Sequence, residues 1–102
     1  MRVLWSQRAS KSLHSLEDYI LQEFGELKRQ EYMEKAESVA RRLETYPNMG
    51  KEEPALIHRK KRYKSVLITP RTKCIYYVDG ECIVIADVWD TRREPKTVAA
   101  NL

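Results

Sequence analysis

The spacing of apolar residues changes near Gly50, and this change constrains the fold more than any other feature of the chain. Before Gly50 the apolar residues recur every three or four positions, and after it they alternate. Helices followed by strands favour an α+β fold, because the strands must bury one face against the helices. A chain of 102 residues has room for one such domain, which we place at residues 1–102.

Two helices are predicted before Gly50, after a short strand at residues 2–5. The first helix, residues 7–24, has the apolar stripe Ala9, Leu13, Leu16, Ile20 and Phe24. Ser6 is placed to cap its first turn, and Gly25 can supply the positive φ that ends it. The second helix, residues 27–46, has the stripe Tyr32, Ala36, Val39, Ala40 and Leu43, and Pro47 ends it. Helices joined by so short a loop form an antiparallel hairpin.

Four strands are predicted after Gly50, at residues 55–60, 62–69, 72–78 and 81–90. Together with the N-terminal strand they predict a two-helix hairpin packed on a mostly antiparallel sheet of four or five strands. Asp79-Gly80 favours a two-residue type I′ turn, which would pair Tyr77 with Cys82 and Ile75 with Val84.

In this register one sheet face is nearly all apolar, so we expect it to pack against the helices. Its members are Val66, Ile68, Ile75, Tyr77, Cys82, Val84, Ala86 and Val88. The opposite face is more mixed and is expected to be a binding surface. Its members are Tyr63, Ser65, Leu67, Cys74, Tyr76, Val78, Ile83, Ile85, Asp87 and Trp89.

Positive charge is concentrated in one segment of the second half. From Arg59 to Lys73 there are seven Lys or Arg residues and no Asp or Glu, in a chain of net charge +4. Such a concentration on a sheet predicts an anionic partner, either nucleic acid or an acidic protein segment. A charged edge strand that deters aggregation is the alternative. The predicted target-binding residues are Arg59, Lys60, Lys61, Arg62, Lys64, Arg71, Trp89, Arg92 and Arg93.

Several classes of site and location are not expected. Cys74 and Cys82 form no CxxC motif and no Cys/His cluster, so we expect neither a metal nor another cofactor. The predicted register places the two thiols on opposite faces of the sheet, which disfavours a disulfide. No apolar run approaches the 18 to 20 residues of a membrane span, and no signal peptide is evident, so a cytoplasmic location is expected.

Ordered residue patterns recur along nearly the whole chain. They are Ala9-x-x-x-Leu13-x-x-Leu16-x-x-Tyr19-Ile20, Leu43-x-x-Tyr46-Pro47-x-x-Gly50, Tyr63-Lys64-Ser65-Val66, Ile75-Tyr76-Tyr77-Val78, Ile83-Val84-Ile85-Ala86-Asp87 and Asp90-x-Arg92-Arg93-x-Pro95. This set resembles the RelE/ParE superfamily of toxins from bacterial type II toxin–antitoxin systems. The C-terminal pattern looks most like the ParE side, the plasmid stabilisation proteins. Members often have Arg where this chain has Lys64, which keeps the charge but loses the bidentate fork.

The resemblance implies a toxin that a cognate antitoxin neutralises, as a homodimer or as a heterotetramer with the antitoxin. ParE-like members act on DNA gyrase, whereas RelE-like members cleave mRNA on the ribosome without a metal. For such cleavage the candidate catalytic residues are Arg59, Lys61, Lys64 and Arg92. RelE-like members usually have Tyr or His after the last strand as the acid. Here Trp89 stands there, and its indole cannot supply a proton.

A ParE-like toxin is therefore favoured, with a RelE-like endoribonuclease and a non-toxic RNA-binding remnant of the fold as alternatives. A disordered acidic segment of the antitoxin could bind in either of two ways. It could dock as a helix in a groove beside the helical hairpin, or add as a strand along the basic edge of the sheet.

Overall fold

The computed structural model describes every residue from Met1 to Leu102. In chain order the elements are β1 (Arg2–Trp5), α1 (Gln7–Phe24), α2 (Glu26–Thr45), β2 (Lys51–Glu52), a 3₁₀ turn (Pro54–Leu56), β3 (Lys64–Thr69), β4 (Thr72–Asp79), β5 (Cys82–Asp90) and α3 (Pro95–Ala99). The sheet order is β1-β5-β4-β3-β2, with β1 parallel to β5 and the other pairs antiparallel. This confirms the predicted α+β fold.

The helical hairpin forms as its local signals predict. Ser6 caps α1, since its Oγ accepts a hydrogen bond from Ala9 N at 3.0 Å. Gly25 alone separates the two helices and has a φ of 91°, which a residue with a side chain rarely adopts. The two helices pack on each other and on one face of the sheet. None of the three α-helices combines the length and the apolar content that a membrane-spanning helix requires.

The sheet is buried on both faces, so the protein has three layers. The core under the hairpin contains Ala9, Tyr32, Ala36, Val39, Leu43, Ile68, Cys74, Tyr76, Ile83, Ile85 and Val88. A smaller core on the opposite face contains Leu56, Tyr63, Ile75, Ala86, Trp89, Val98 and Ala99. The 3₁₀ turn and α3 supply the cover for this second core.

The turn between β4 and β5 differs from the predicted type I′ turn. Asp79 pairs with Cys82, so Gly80 and Glu81 are the central residues. Gly80 has a φ of 62° and Glu81 does not have a positive φ, which is the pattern of a type II′ turn. Tyr77 consequently pairs with Val84 rather than with Cys82. The predicted register was therefore wrong by two residues.

The predicted assignment of the sheet faces was also wrong for β4 and for most of β5. Cys74, Tyr76, Ile83 and Ile85 pack under the hairpin, whereas Ile75, Tyr77 and Ala86 belong to the second core. Both faces are apolar because both are covered, so alternation alone could not show which layer each face meets. A bulge interrupts the pairing of β4 with β5 between Ile75 and Tyr76 and reverses which side chains of β5 face the hairpin. Val88 therefore lies under the hairpin, as predicted.

The strand predicted at residues 55–60 is absent. Pro54 instead begins the 3₁₀ turn, and the Glu53 side chain caps it by accepting a hydrogen bond from Ala55 N at 3.3 Å. Residues 57–63 then form turns and irregular backbone. The cations from Arg59 to Arg62 therefore lie in a loop and not on a strand, which corrects the expected cationic sheet. The predictions for β3, β4 and β5 are confirmed to within two residues at each end.

The connection between α2 and β2 is held by the hydroxyl of Tyr76. Its Oη donates to Pro47 O and accepts from Gly50 N, both at 2.9 Å. A Cβ atom on Gly50 would lie 2.7 Å from Tyr76 Oη and 2.8 Å from Ser65 O. The close approach of this backbone to Tyr76 therefore requires glycine at position 50.

Candidate functional site

The cationic loop, residues 59–62, and Lys64 at the start of β3 direct their side chains to different places. Arg59 Nη2 donates to Ala99 O at 3.2 Å, so this side chain lies against the C-terminal helix. Lys61 Nζ donates to Tyr77 Oη at 3.2 Å. Lys64 Nζ donates to Asn48 Oδ1 at 3.0 Å, near the end of α2. Lys60 and Arg62 are exposed. The loop therefore presents a broad positive surface rather than one focused anion site.

Lys61 lies on an aromatic surface formed by two tyrosines. Its Nζ is 4.4 Å from the ring centroid of Tyr77, and Tyr63 contacts Tyr77 edge-on with centroids 5.5 Å apart. The hydrogen bond with Tyr77 raises the pKa of Lys61 above its usual range. Lys61 is therefore an ammonium ion at neutral pH and stabilises negative charge rather than removing protons.

The C-terminal cations lie at the other end of β4. Arg92 donates to both carboxylate oxygens of Asp90, from Nε at 3.1 Å and from Nη2 at 2.9 Å. This pairing raises the pKa of Arg92 and lowers the pKa of Asp90. Arg71, at the turn after β3, and Arg93 are exposed.

The predicted catalytic candidates are not brought together. Asp90, the partner of Arg92, is paired with Thr72 at the start of β4, whereas Lys61 contacts Tyr77 near its end. Thr72 and Tyr77 are five positions apart along the strand, a span of about 16 Å. Arg92 also lies beside Tyr19 on the helical side of the sheet, whereas Lys61 lies on the opposite face.

Trp89 is placed in the second core and not at the surface. Its side chain is 2% exposed, and its Nε1 donates to Asp87 Oδ2 at 2.9 Å. Asp87 Oδ1 also accepts hydrogen bonds from Ser12 Oγ at 2.6 Å and from Val88 N at 2.8 Å. On the same face Lys73 forms an ion pair with buried Glu53 and lies 5.4 Å from the Trp89 ring. Trp89 thus joins the sheet to α1 through Asp87.

A second candidate surface, which we call the hairpin groove, lies beside α1 and α2 next to the β3–β4 turn. Its apolar lining is Leu16, Tyr19, Ile20, Phe24 and Tyr32, and its charged rim is Lys28, Glu31, Lys35, Arg71, Asp90 and Arg92. Arg71 and Arg92 were predicted to bind a partner. The residues contributed by the helices were not singled out, because each resembles an ordinary core or surface position of a helix.

Two aromatic residues of this groove are unusually exposed. Phe24 is 58% exposed and Tyr19 is 46% exposed, and their rings meet edge-on with centroids 6.4 Å apart. Phe24, the last residue of the predicted apolar stripe, is therefore not in the core, because its ring packs on Tyr19 at the end of α1 rather than under the hairpin. The sequence feature that could have indicated an exposed aromatic surface is Tyr19, an aromatic residue outside the apolar stripe of α1.

The protein has no cluster of three or more His, Cys, Asp or Glu side chains that could hold a metal ion. Both cysteines are free, with Cys74 buried and Cys82 partly exposed. Burial raises the pKa of the Cys74 thiol to about 12, so this thiol stays protonated at neutral pH.

Comparisons with known proteins relate the fold to toxins. A family model described as the ParE toxin of type II toxin–antitoxin system, parDE, matches residues 3–95. A solved structure titled chromosomal ParDE TA system from P. aeruginosa is similar, with a TM-score of 0.73 and 16% identity over 88% of this chain and 95% of that chain. The YoeB dimer from Staphylococcus aureus is also similar, with a TM-score of 0.56 and 19% identity over 85% of this chain and 92% of that chain.

No curated protein matches the chain. The two structural similarities lie below 25% identity, so they support the fold. The family model begins at the second residue of β1 and covers α1, α2 and the other four strands, which includes both candidate surfaces. The chain therefore belongs to the ParE toxin family of type II toxin–antitoxin systems.

Proposed function

We propose that this toxin inhibits DNA gyrase and that a cognate antitoxin neutralises it. Membership of the ParE toxin family supports a toxin with an antitoxin partner. The resemblance to ParE-like members, which act on gyrase, supports the choice of target. The observation that carries the proposal is the separation of the cations that RNA cleavage would need.

Cleavage of RNA without a metal needs a base, a cation and an acid around one phosphate group. Here Lys61 and Arg92 contact groups at opposite ends of β4 and on opposite faces of the sheet. Trp89, which stands where the acid was expected, is buried in the second core. A ribonuclease site would require these side chains to leave their present partners and converge.

The protonation state of Lys61 also supports inhibition of gyrase rather than cleavage of RNA. A lysine that acts as a general base needs a lowered pKa, so that the neutral amine is populated near pH 7. The hydrogen bond with Tyr77 raises the pKa of Lys61 instead. We therefore assign the cationic loop to binding of a target, with Lys60 and Arg62 as its exposed contacts.

The test measures two activities of the purified protein in parallel. One assay follows supercoiling of a relaxed plasmid by gyrase, and the other follows the integrity of an mRNA during translation by ribosomes. We expect loss of supercoiling with intact mRNA. Ribosome-dependent cuts in the mRNA with normal supercoiling would instead establish the endoribonuclease. Binding of RNA without either effect would support the non-toxic remnant.

A charge-reversal variant locates the surface that contacts the target. The double substitution Lys60→Glu and Arg62→Glu should weaken gyrase inhibition at least about tenfold, because opposite charges at an interface are replaced by like charges. The matched control, Arg8→Glu with Arg42→Glu, changes net charge equally on the exposed surface of α1 and α2. Equal losses in both variants would show that only net charge matters.

Neutralisation of the toxin by its antitoxin is tested in a separate growth experiment. Coexpression of the cognate antitoxin should restore growth that the toxin alone slows, and light scattering of the purified complex measures whether it is a heterotetramer. The free toxin measured in the same way shows whether it is a homodimer. The cytoplasmic location expected from the sequence belongs to this proposal, since gyrase and ribosomes are both cytoplasmic.

A further inference from the structure

Two segments cover the second core, and together they form a positively charged outer layer. We call them the cover: residues 53–63, which include the 3₁₀ turn, and residues 93–102, which include α3. Their acidic side chains are Glu53 and Glu94, and Glu53 is buried in its ion pair with Lys73. The basic side chains of the cover are Arg59, Lys60, Lys61, Arg62, Arg93 and Lys96. All six are exposed, and none of them forms an ion pair.

The outer surface of the helical hairpin has a different charge balance. Between residues 7 and 45 there are seven Lys or Arg and eight Asp or Glu. Several of these pair with each other, such as Arg29 with Glu26 at 2.6 Å. The cover, with six basic and two acidic side chains, has a net charge of +4, which equals that of the whole chain. The excess positive charge is therefore concentrated on the side of the sheet away from the hairpin, where it attracts a polyanion.

The cover lacks the exposed apolar side chains that a protein interface needs at its centre. Of the eleven large hydrophobic side chains that are exposed in the protein, only Ile57 belongs to the cover. Six of the others lie between Tyr19 and Tyr46, on the helical hairpin. Interfaces between proteins have apolar and aromatic centres, whereas interfaces with nucleic acid are more polar and much more positive. The composition of the cover thus fits a nucleic acid better than a protein.

The tyrosine and tryptophan rings on this side of the sheet are not free to stack on bases. Tyr63 is 7% exposed and Trp89 is 2% exposed. Tyr77 is only partly exposed, and Lys61 Nζ lies 4.4 Å from its ring centroid. Proteins hold single strands by stacking bases on exposed rings, whereas a duplex presents its phosphates and sugars. The cover therefore favours the backbone of a duplex over a single strand.

The length of the cover matches several phosphates of a duplex. Lys61 contacts Tyr77 near one end of β4. Arg93 lies just beyond Asp90, which pairs with Thr72 at the other end. These two ends are about 16 Å apart. One strand of DNA has a phosphate about every 3.4 Å along the helix axis, so about five phosphates span the same distance.

We propose that the cover binds the phosphate backbone of duplex DNA regardless of base sequence, and that the toxin meets gyrase on the DNA that the enzyme holds. Lys60 and Arg62 contact phosphates at one end of the cover, and Arg93 and Lys96 contact phosphates at the other. The meeting with gyrase rests on the proposed function. The DNA-binding surface itself rests only on the charge, exposure and length of the cover.

The salt dependence of DNA binding tests the surface without gyrase. Fluorescence anisotropy of a short labelled DNA duplex, titrated with the toxin at several salt concentrations, gives the binding constant at each. Contacts to about four phosphates release the counterions of those phosphates, so the affinity should fall roughly a hundredfold between about 50 and 200 mM salt. Duplexes of different sequence should bind equally, because phosphate contacts carry no sequence information.

Two double variants assign the binding to the ends of the cover. Lys60→Gln with Arg62→Gln, and separately Arg93→Gln with Lys96→Gln, should each weaken DNA binding at least about tenfold at low salt. Each pair should also reduce the slope of log affinity against log salt by about 2, because two phosphate contacts are lost. The matched control, Arg8→Gln with Arg42→Gln, removes the same charge from exposed positions of the hairpin and should leave the slope unchanged. All six side chains are exposed, so the thermal midpoints should stay close to that of the wild type.

Three results would overturn the proposal. Equal losses in the cover variants and in the hairpin control would mean that the cover is not a distinct surface. Tighter binding of single-stranded RNA or of an RNA duplex than of the DNA duplex, at the same salt, would assign the cover to RNA. Unchanged DNA binding in both cover variants, together with weaker inhibition of gyrase, would assign the cover to a protein surface of gyrase.

The outcome for DNA binding is independent of the outcome for gyrase inhibition. A toxin that blocks supercoiling but does not bind the duplex would contradict the DNA-binding surface and leave the proposed function intact. A toxin that binds the duplex with the expected salt dependence but leaves supercoiling normal would contradict the proposed function and leave the DNA-binding surface intact.

Discussion

At the scale of single residues, Gly50 has the sharpest steric constraint in the chain. Replacement by Ala puts a Cβ atom 2.7 Å from Tyr76 Oη and 2.8 Å from the carbonyl oxygen of Ser65. The carbonyl belongs to β3 and cannot move without disturbing the pairing of Lys51 with Ser65. We expect Gly50→Ala to lower the free energy of unfolding by about 1–3 kcal/mol, measured by urea denaturation.

Gly80→Ala is the matched control, because it separates crowding from backbone strain. Gly80 has a φ of 62°, but a Cβ atom there would meet no atom within 4 Å. Its expected loss is about 1 kcal/mol and comes from the left-handed backbone alone. Combining Gly50→Ala with Tyr76→Phe should reduce stability by less than the sum of the single changes. Additive losses would show that the Tyr76 hydroxyl is not the obstacle.

At the scale of elements, the start of α1 is tied to β5 through Ser6. Its Oγ accepts from Ala9 N and donates to Ala86 O, each at 3.0 Å, and its backbone N donates to Ile85 O at 3.0 Å. Ser6→Ala removes both side-chain bonds, so we expect a loss of about 1–2 kcal/mol in unfolding free energy. Ser15→Ala, an exposed change in the same helix, should stay within about 0.5 kcal/mol. Equal effects of the two variants would contradict a tie between α1 and β5.

The elements also show which features could be predicted from the sequence. Ser6, Gly25 and the helical stripes act locally, so the hairpin was predicted almost to the residue. The sheet faces depend on which layer covers each of them and on the bulge, and both are settled by contacts between distant residues. The concentration of Lys and Arg in the sequence identified cations of both candidate surfaces, but it did not predict that the two surfaces lie at opposite ends of β4. The place of Tyr32 in the hairpin groove could not be predicted, because a residue of a helical stripe is indistinguishable in the sequence from ordinary core.

At the scale of the whole molecule, stability depends on a second core that α3 completes. Val98 is 5% exposed and packs in the same core as Ile75 and Trp89. Val98→Ala should lower the free energy of unfolding by about 2 kcal/mol, from lost burial and the cavity left behind. Tryptophan fluorescence during urea denaturation measures the loss. Lys96→Ala, an exposed change in α3, should be nearly neutral. A neutral Val98→Ala would mean that α3 does not stay docked in solution.

The position of β5 between β1 and β4 determines when the sheet can be completed during synthesis of the protein. The two helices and the β3–β4 pair join neighbours in the chain and can form early, whereas β1 pairs with the more distant β5. A growing chain on the ribosome therefore carries β1 unpaired until β5 has been synthesised. The complete sheet, and any harm it does to its host, arises only after residues 82–90 have left the ribosome.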